Sequence, residues 1–211
     1  RKVGAQSLYH IDSVQYQLSR IQAAYTLCSG MCAWSSSMSG IDQDLATEGL
    51  QANSMKALVT DLMQESAQIA VQLAGSSGYK IDHVAGRGIV DSRPFQIFEG
   101  SNEMLYTQIA EIVTKQMKKS KESHLGNFLA SYVSTSQVTE RFKKHFDISI
   151  GGVNLVQRQL VVLGKAIARL VCLQYVQNMV DKGFRQDLFD QAAKHVEMDV
   201  KALLSDFIDF N

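Results

Sequence analysis

Ile11, Val14, Leu18, Ile21, Tyr25, Cys28 and Cys32 follow one another at steps of three and four, which is the spacing of one apolar face on a long helix. Ser39-Gly40 ends that helix. A second stripe, Met55, Leu58, Leu62, Ile69 and Leu73, predicts a helix from near Asp44 to Leu73, closed by the turn signal Gly75-Ser76-Ser77-Gly78. Residues 79–98 show no period and read as irregular. A third helix starts near Ser101 and carries Glu103 in its first turn, where a negative charge suits the helix dipole. It runs through Leu105, Ile109, Ile112 and Met117 into a basic, solvated end at Lys115 to Lys121.

Ser120 to Leu125 reads as a linker. A short helix at about Asn127 to Tyr132, a break at Ser134-Thr135-Ser136 and another short helix to about Phe146 follow. After Gly151-Gly152 the stripe Val153, Val156, Leu160, Leu163, Ile167, Leu170 predicts a long helix stopped by Gly183, and a last helix spans about Asp187 to Phe207. No segment alternates as a strand does, and no fixed-period repeat is present. The fold class expected is all-α: an antiparallel helical bundle over residues 1–119, with additional C-terminal helices over 120–211 as an extension.

The chain has 211 residues, 45% apolar, with a single proline. A sizeable core and long helices follow, since proline breaks helix interiors. Basic and acidic residues balance at 21 each, so no electrostatic footprint for nucleic acid is seen. Cys28, Cys32 and Cys172 form no disulfide framework. Cys28 and Cys32 share a helix face, but no second pair or nearby histidine makes a metal site of them, and they read as small core residues. Reduced thiols suit a cytoplasmic or mitochondrial-matrix-like compartment. No signal peptide is seen, and the run Leu160 to Leu173 is interrupted by Lys165 and Arg169 and is too short to span a bilayer. The first residue is Arg1, which reads as a fragment or a processed product.

The candidate chemistry lies at Ser92 to Gln108, SRPFQIFEGSNEMLYTQ. Glu99 stands directly before Gly100, Ser101 and Asn102, with Phe95, Ile97 and Phe98 before it. If those side chains surround it, burial disfavours the charged carboxylate, a state suited to taking a proton from carbon. On residue types alone the plainer reading, a loop acid at a helix start, comes first.

Several segments together resemble the C-terminal helical domain of the acyl-CoA dehydrogenases, a family of flavoenzymes, from Arg1 to about Lys118. They are the opening Arg1-Lys2-Val3-Gly4, the Met55-Lys56 pair, Gln72-Leu73-Ala74-Gly75-Ser76-Ser77-Gly78-Tyr79, Asp91-Ser92, and Ile97-Phe98-Glu99-Gly100-Ser101-Asn102-Glu103. The spacing from Gln72 to Glu99 needs no gap against the family pattern. Val90 replaces the arginine that precedes Asp91, and Arg87 and Arg93 are the nearby substitutes.

The resemblance implies that Glu99 is the catalytic base, taking the α-proton of an acyl-CoA thioester while a hydride leaves the β-carbon for FAD, to give a trans-2-enoyl-CoA. The thioester oxygen would be bound partly by the backbone N–H of Glu99, with Gly100 in the substrate site. Ser101 and Glu103 match FAD contacts beside the base. Arg1, Gln72, Gly75 and Ser76 match contacts to the adenine-diphosphate half of a partner subunit's FAD; for Gln72 and Gly75 the plain alternative is a glycine-capped helix end.

The resemblance also implies a homodimer or dimer of dimers and an electron-transferring flavoprotein as acceptor. Because the domains that complete the family's pocket are missing from 211 residues, the chain on its own is expected to be inactive. Residues 120–211 read first as helices covering the core, or as a peripheral membrane contact of the kind some long-chain members carry. A non-catalytic helical assembly module and an acyl-CoA oxidase-like relative remain alternative readings.

Overall fold

A computed structural model describes residues 2–43 and 48–208. Eight α-helices account for most of it: α1 (Asp12–Ser37), α2 (Gly49–Ala74), α3 (Val84–Ser92), α4 (Asn102–Ser120), α5 (Leu125–Ser131), α6 (Ser136–Phe142), α7 (Gln157–Val180) and α8 (Gln186–Ile208). A two-residue hairpin precedes them, with β1 (Lys2–Val3) antiparallel to β2 (Gln6–Ser7) and Gly4 turning between them. The all-α bundle expected from the sequence is the fold observed.

α7 lies against α1, α2, α4 and α8. Leu163, Ile167, Leu170, Val171 and Leu173 are fully buried, so truncating one of them to alanine is expected to cost about 2–5 kcal/mol. α7 is also the one described helix long and apolar enough to cross a membrane, but 67% of its most apolar window is buried within the bundle. Gly164 sets its distance from α4: a Cβ there would lie 1.9 Å from the Tyr106 carbonyl oxygen. The buried core continues without interruption from α1, α2 and α4 into α5 to α8.

α1 corrects the sequence reading. Its buried face is Ala23, Ala24, Leu27, Gly30, Met31 and Trp34, whereas Leu18, Tyr25 and Cys32 of the expected stripe are exposed. Small residues win that face because they let helices approach: a Cβ on Gly30 would lie 2.9 Å from the Val176 backbone nitrogen. Burial pushes the Cys28 thiol up to about 11, with neighbouring Cys32 adding to the shift, and raises buried Cys172 as well; both stay protonated and unreactive.

Two boundaries also differ. Residues 79–98, read as irregular, contain α3 and a 3-10 turn over Arg93–Gln96. α7 starts at Gln157, so Val153 and Val156 precede it and are exposed. The expected start of the second helix at Asp44 lies outside the described residues.

At the centre, Arg20 of α1 pairs with Glu65 of α2 at 2.7 Å and with Asp199 of α8 at 2.8 Å, and Arg169 of α7 pairs with Asp199 at 3.0 Å. Burial works against the Asp199 carboxylate, but the two guanidinium groups outweigh it and hold its pKa below the usual range.

Candidate active site

α2 and α4 pack antiparallel. Lys56 meets the start of α4, Asn53 bonds Gln108 at 3.1 Å, and Gly49 faces Ile112. That register fixes the segment entering α4. Pro94 opens the 3-10 turn after α3, and its carbonyl accepts from the N–H groups of Ile97 and Phe98 at 2.9 and 3.1 Å. The chain then reverses through two left-handed residues, Glu99 at φ 56° and Gly100 at φ 94°. Ser101 caps α4 by accepting from the Met104 N–H. For glutamate the left-handed region is uncommon and costs on the order of 1 kcal/mol, which surrounding contacts must offset.

Those contacts come from α2. The Lys56 ammonium donates to the Gly100 carbonyl at 2.7 Å and to Asn102 Oδ1 at 2.9 Å. Asn102 is buried, and its Nδ2 lies 3.0 Å from the Ala57 carbonyl, 2.9 Å from Thr60 Oγ1 and 2.6 Å from Asp61 Oδ1. Asp61 also accepts from Gln96 Nε2 at 2.7 Å and from the Tyr106 hydroxyl at 2.7 Å. Burial raises the Tyr106 pKa well above its ordinary value, and the Asp61 charge adds to this, so it stays a donor. Burial lowers the Lys56 pKa, opposed by the charges of Asp61 and Glu99.

Glu99 itself is exposed. The dry surround expected from Phe95, Ile97 and Phe98 is not formed within this chain: they are 44%, 59% and 46% exposed. The reversal at Glu99 turns these side chains outward instead, where Ile89, Val90, Pro94, Ile97 and Phe98 line an open apolar cleft of about 470 Å³. Ser101 and Glu103 line a second cleft of about 370 Å³, with Asp61, Arg93, Tyr106 and, from α7, Lys165. Among the described residues, the backbone N–H groups of Glu99, Gly100, Ser101, Asn102 and Glu103 donate to nothing. Consecutive free N–H groups around left-handed residues form a concavity suited to an anionic or carbonyl oxygen.

The turn therefore brings together Glu99, Gly100, Ser101 and Glu103. It does not bring in Gln72, Gly75 and Ser76. These lie at the other end of α2, where Gly75 caps the helix at φ 66° and Gln72 and Ser76 are exposed. At 1.5 Å per residue, that end is about 20 Å from the Lys56–Asp61 level. Arg1 lies outside the described residues. Arg87 faces Asp91 at 3.9 Å on the exposed side of α3, and Arg93 bonds Gln96 instead. No three His, Cys, Asp or Glu side chains among the described residues gather as a metal site.

The residue order assigns no role to Asn102, which lies within the Glu99 motif, and does not place Thr60, Asp61 or Tyr106 beside it. The available signal was Lys56, Thr60 and Asp61 at helical spacing between the apolar positions Ala57, Leu58 and Leu62 of α2, a pattern that calls for a polar partner.

Residues 1–114 match the family model described as acyl-CoA dehydrogenase, C-terminal domain. No curated protein matches the chain.

Proposed function

Since the chain belongs to the acyl-CoA dehydrogenase family through its C-terminal domain, we propose that it supplies the base for α,β-dehydrogenation of an acyl-CoA thioester to a trans-2-enoyl-CoA, with Glu99 as that base. The observation that carries this reading is the Glu99 turn: an exposed carboxylate on a backbone clamped by Lys56, next to N–H groups with no partner among the described residues.

The Glu99 carboxylate takes the α-proton. The thioester oxygen, on which negative charge grows as that proton leaves, is received by the free Glu99 N–H, a donor fixed before the reaction begins. The donor set suits FAD beside it, and FAD when bound supplies the acceptor for the hydride from the β-carbon. Ser101 and Glu103 would hold that cofactor. Gln72, Gly75 and Ser76, about 20 Å away along α2, would hold the adenine-diphosphate half of a second copy in a homodimer or dimer of dimers, with Arg1 beside them. The cleft at Ile97 and Phe98 is the apolar surface that, once covered, excludes water from the carboxylate.

The reading extends to an electron-transferring flavoprotein as acceptor.

The test is acyl-CoA-dependent bleaching of bound flavin by the chain joined to the domains that complete the family's flavin pocket, comparing wild type with Glu99→Gln. A rate loss of about 10²–10⁴-fold is expected for removal of a general base. Equal bleaching in both would remove Glu99 from the mechanism. Failure to bind any flavin would favour a helical assembly module, and rapid reoxidation of the bleached flavin by oxygen would favour an acyl-CoA oxidase-like relative.

A further inference from the structure

We propose that the outward face of α1 is a docking seam for a second copy of this chain, with α1 packing against the same helix of that copy. The inference goes beyond the pairing of copies around FAD, because it needs neither cofactor nor thioester.

Three observations carry it. First, Val14, Leu18, Ile21, Tyr25, Cys28 and Cys32 alternate strictly between steps of four and three, the repeat of a helix–helix seam. The seam extends about 27 Å along the helix. Among the described residues none of the six is buried, Tyr25 is 70% exposed, and only Cys28 reaches the core. The core is met instead by Ala23, Leu27, Gly30 and Trp34 on the other side of α1, so the seam stands on a helix already fixed from behind. Second, the seam is uncharged. Asp12 and Arg20 are the only charged residues in α1. Asp12 stands in the first turn, and Arg20 points inward to Glu65 and Asp199. An ordinary surface helix keeps charges on its outer face, as α4 does with Glu103, Glu111, Lys115 and Lys118. Third, the flanks suit a copy of themselves. A two-fold interface sets one surface against itself, so a charged flank would meet its own sign. Gln15, Gln17, Gln22 and Ser29 border the seam and are all neutral. A different partner helix is selected by complementary charges at such positions, and a lipid surface by lysine or arginine on the polar face; α1 offers neither.

The test is the mass of the 211-residue chain in solution, read by sedimentation equilibrium for wild type, Leu18→Glu, Tyr25→Glu and Ile81→Glu. Wild type is expected to be a dimer at about 100 µM, above the micromolar upper end for specific interfaces of standard size. Leu18 and Tyr25 are exposed, so glutamate there leaves the fold of a single copy intact. In the dimer it brings a charge into the seam from both copies, and the dissociation constant should rise by about 100-fold. Ile81 is 85% exposed and lies outside α1, so Ile81→Glu should leave the mass unchanged.

A wild-type chain that is monomeric at that concentration overturns the proposal. So does a dimer that neither α1 substitution weakens, or one broken by Ile81→Glu, which would put another surface in the interface. Far-UV circular dichroism separates dissociation from unfolding, since a folded variant keeps the wild-type helix signal. If one α1 variant unfolds, the other carries the test. No flavin or substrate is needed, so failure here leaves the flavin-bleaching test of Glu99 untouched.

Discussion

Two charged clusters in this molecule join helices to opposite ends. Arg20, Glu65, Arg169 and Asp199 join α1, α2, α7 and α8 in the interior, with side chains of Arg20 and Arg169 only 14% exposed. Lys56, Asp61 and Asn102 join α2 to α4 and leave Glu99 outside. In the first cluster every charge is matched, because an unmatched buried charge is expensive. In the second, the buried members are matched to each other and the one carboxylate left over faces outward, together with free N–H groups. The interior network contributes to holding four helices together. The rim network holds one turn still and leaves the carboxylate of Glu99 exposed.

The sharpest way to break this contrast is Asp199→Ala. It takes a carboxylate from two guanidinium groups: Arg20 keeps Glu65, but Arg169 keeps, among the described residues, only a bond to the Lys165 carbonyl. A loss of about 3–5 kcal/mol is expected, read as a fall in the urea midpoint. A change as small as that of an exposed pair would mean the network is a bystander. Next in size is Gly164→Ala, whose methyl would sit 1.9 Å from the Tyr106 carbonyl. Separating α7 from α4 to relieve that contact should cost about 1–3 kcal/mol. It should also disturb the second cleft, where Tyr106 and Lys165 meet Ser101 and Glu103, and ¹⁵N shifts of residues 101–106 would report that.

A smaller effect separates the clusters by pH. His195 of α8 lies against the interior network. Ser19 Oγ donates to the Tyr16 carbonyl and so accepts from His195 Nε2, at 2.8 Å. Nδ1 is then the deprotonated nitrogen, buried without a hydrogen-bond partner among the described residues. Burial, with the Arg20 charge added, lowers the His195 pKa below its ordinary 6.5. The unfolded chain therefore takes up this proton before the folded one does. Stability is full above about pH 6.5, the unfolded value, and is lost as pH falls from there toward the folded pKa. Asp199, whose pKa is also depressed, adds a further loss at lower pH, as the solution falls through its folded value. His195→Leu should remove the first of these slopes and keep the second. If the wild-type slope near pH 6 survives the substitution, another group is responsible.

The same contrast explains what could be read from the chain. Long stripes such as Leu105–Ile109 and Leu163–Ile167–Leu170 announce buried faces, because large aliphatic residues at helical spacing have few other places to go. α1 was misleading because its buried face mixes Leu27, Met31 and Trp34 with Ala23, Ala24 and Gly30, small residues that hydrophobic periodicity undervalues and close helix approach requires. α3 was hidden by Gly86 and Gly88, whose low helix propensity is overridden by packing: a Cβ on Gly86 would lie 2.5 Å from the Lys80 carbonyl oxygen. Glu99 was legible as a position, through the motif around it. Its environment was not, since the aromatic neighbours in sequence turn outward and the residue that governs the turn, Lys56, is distant along the chain.

The smallest expected effect concerns Glu99 itself. Glu99→Gln keeps the backbone and removes a charge from an exposed side chain, so stability should stay within about 0.5 kcal/mol. Glu99→Gly should do something different. It removes the Cβ penalty at φ 56°, which is on the order of 1–2 kcal/mol for an L-residue. Against this, glycine gives the unfolded chain more freedom to lose, roughly 0.5–1 kcal/mol. The balance is a gain of about 0.5 kcal/mol, visible as a slightly higher urea midpoint in a variant that has lost the proposed base. A protein more stable without this side chain than with it would show that the left-handed glutamate is kept for chemistry and held there by its clamp. A Glu99→Gly variant that instead loses 1 kcal/mol or more would mean that the carboxylate makes a stabilising contact, and the division between a structural interior cluster and a functional rim cluster would then fail at its most exposed member.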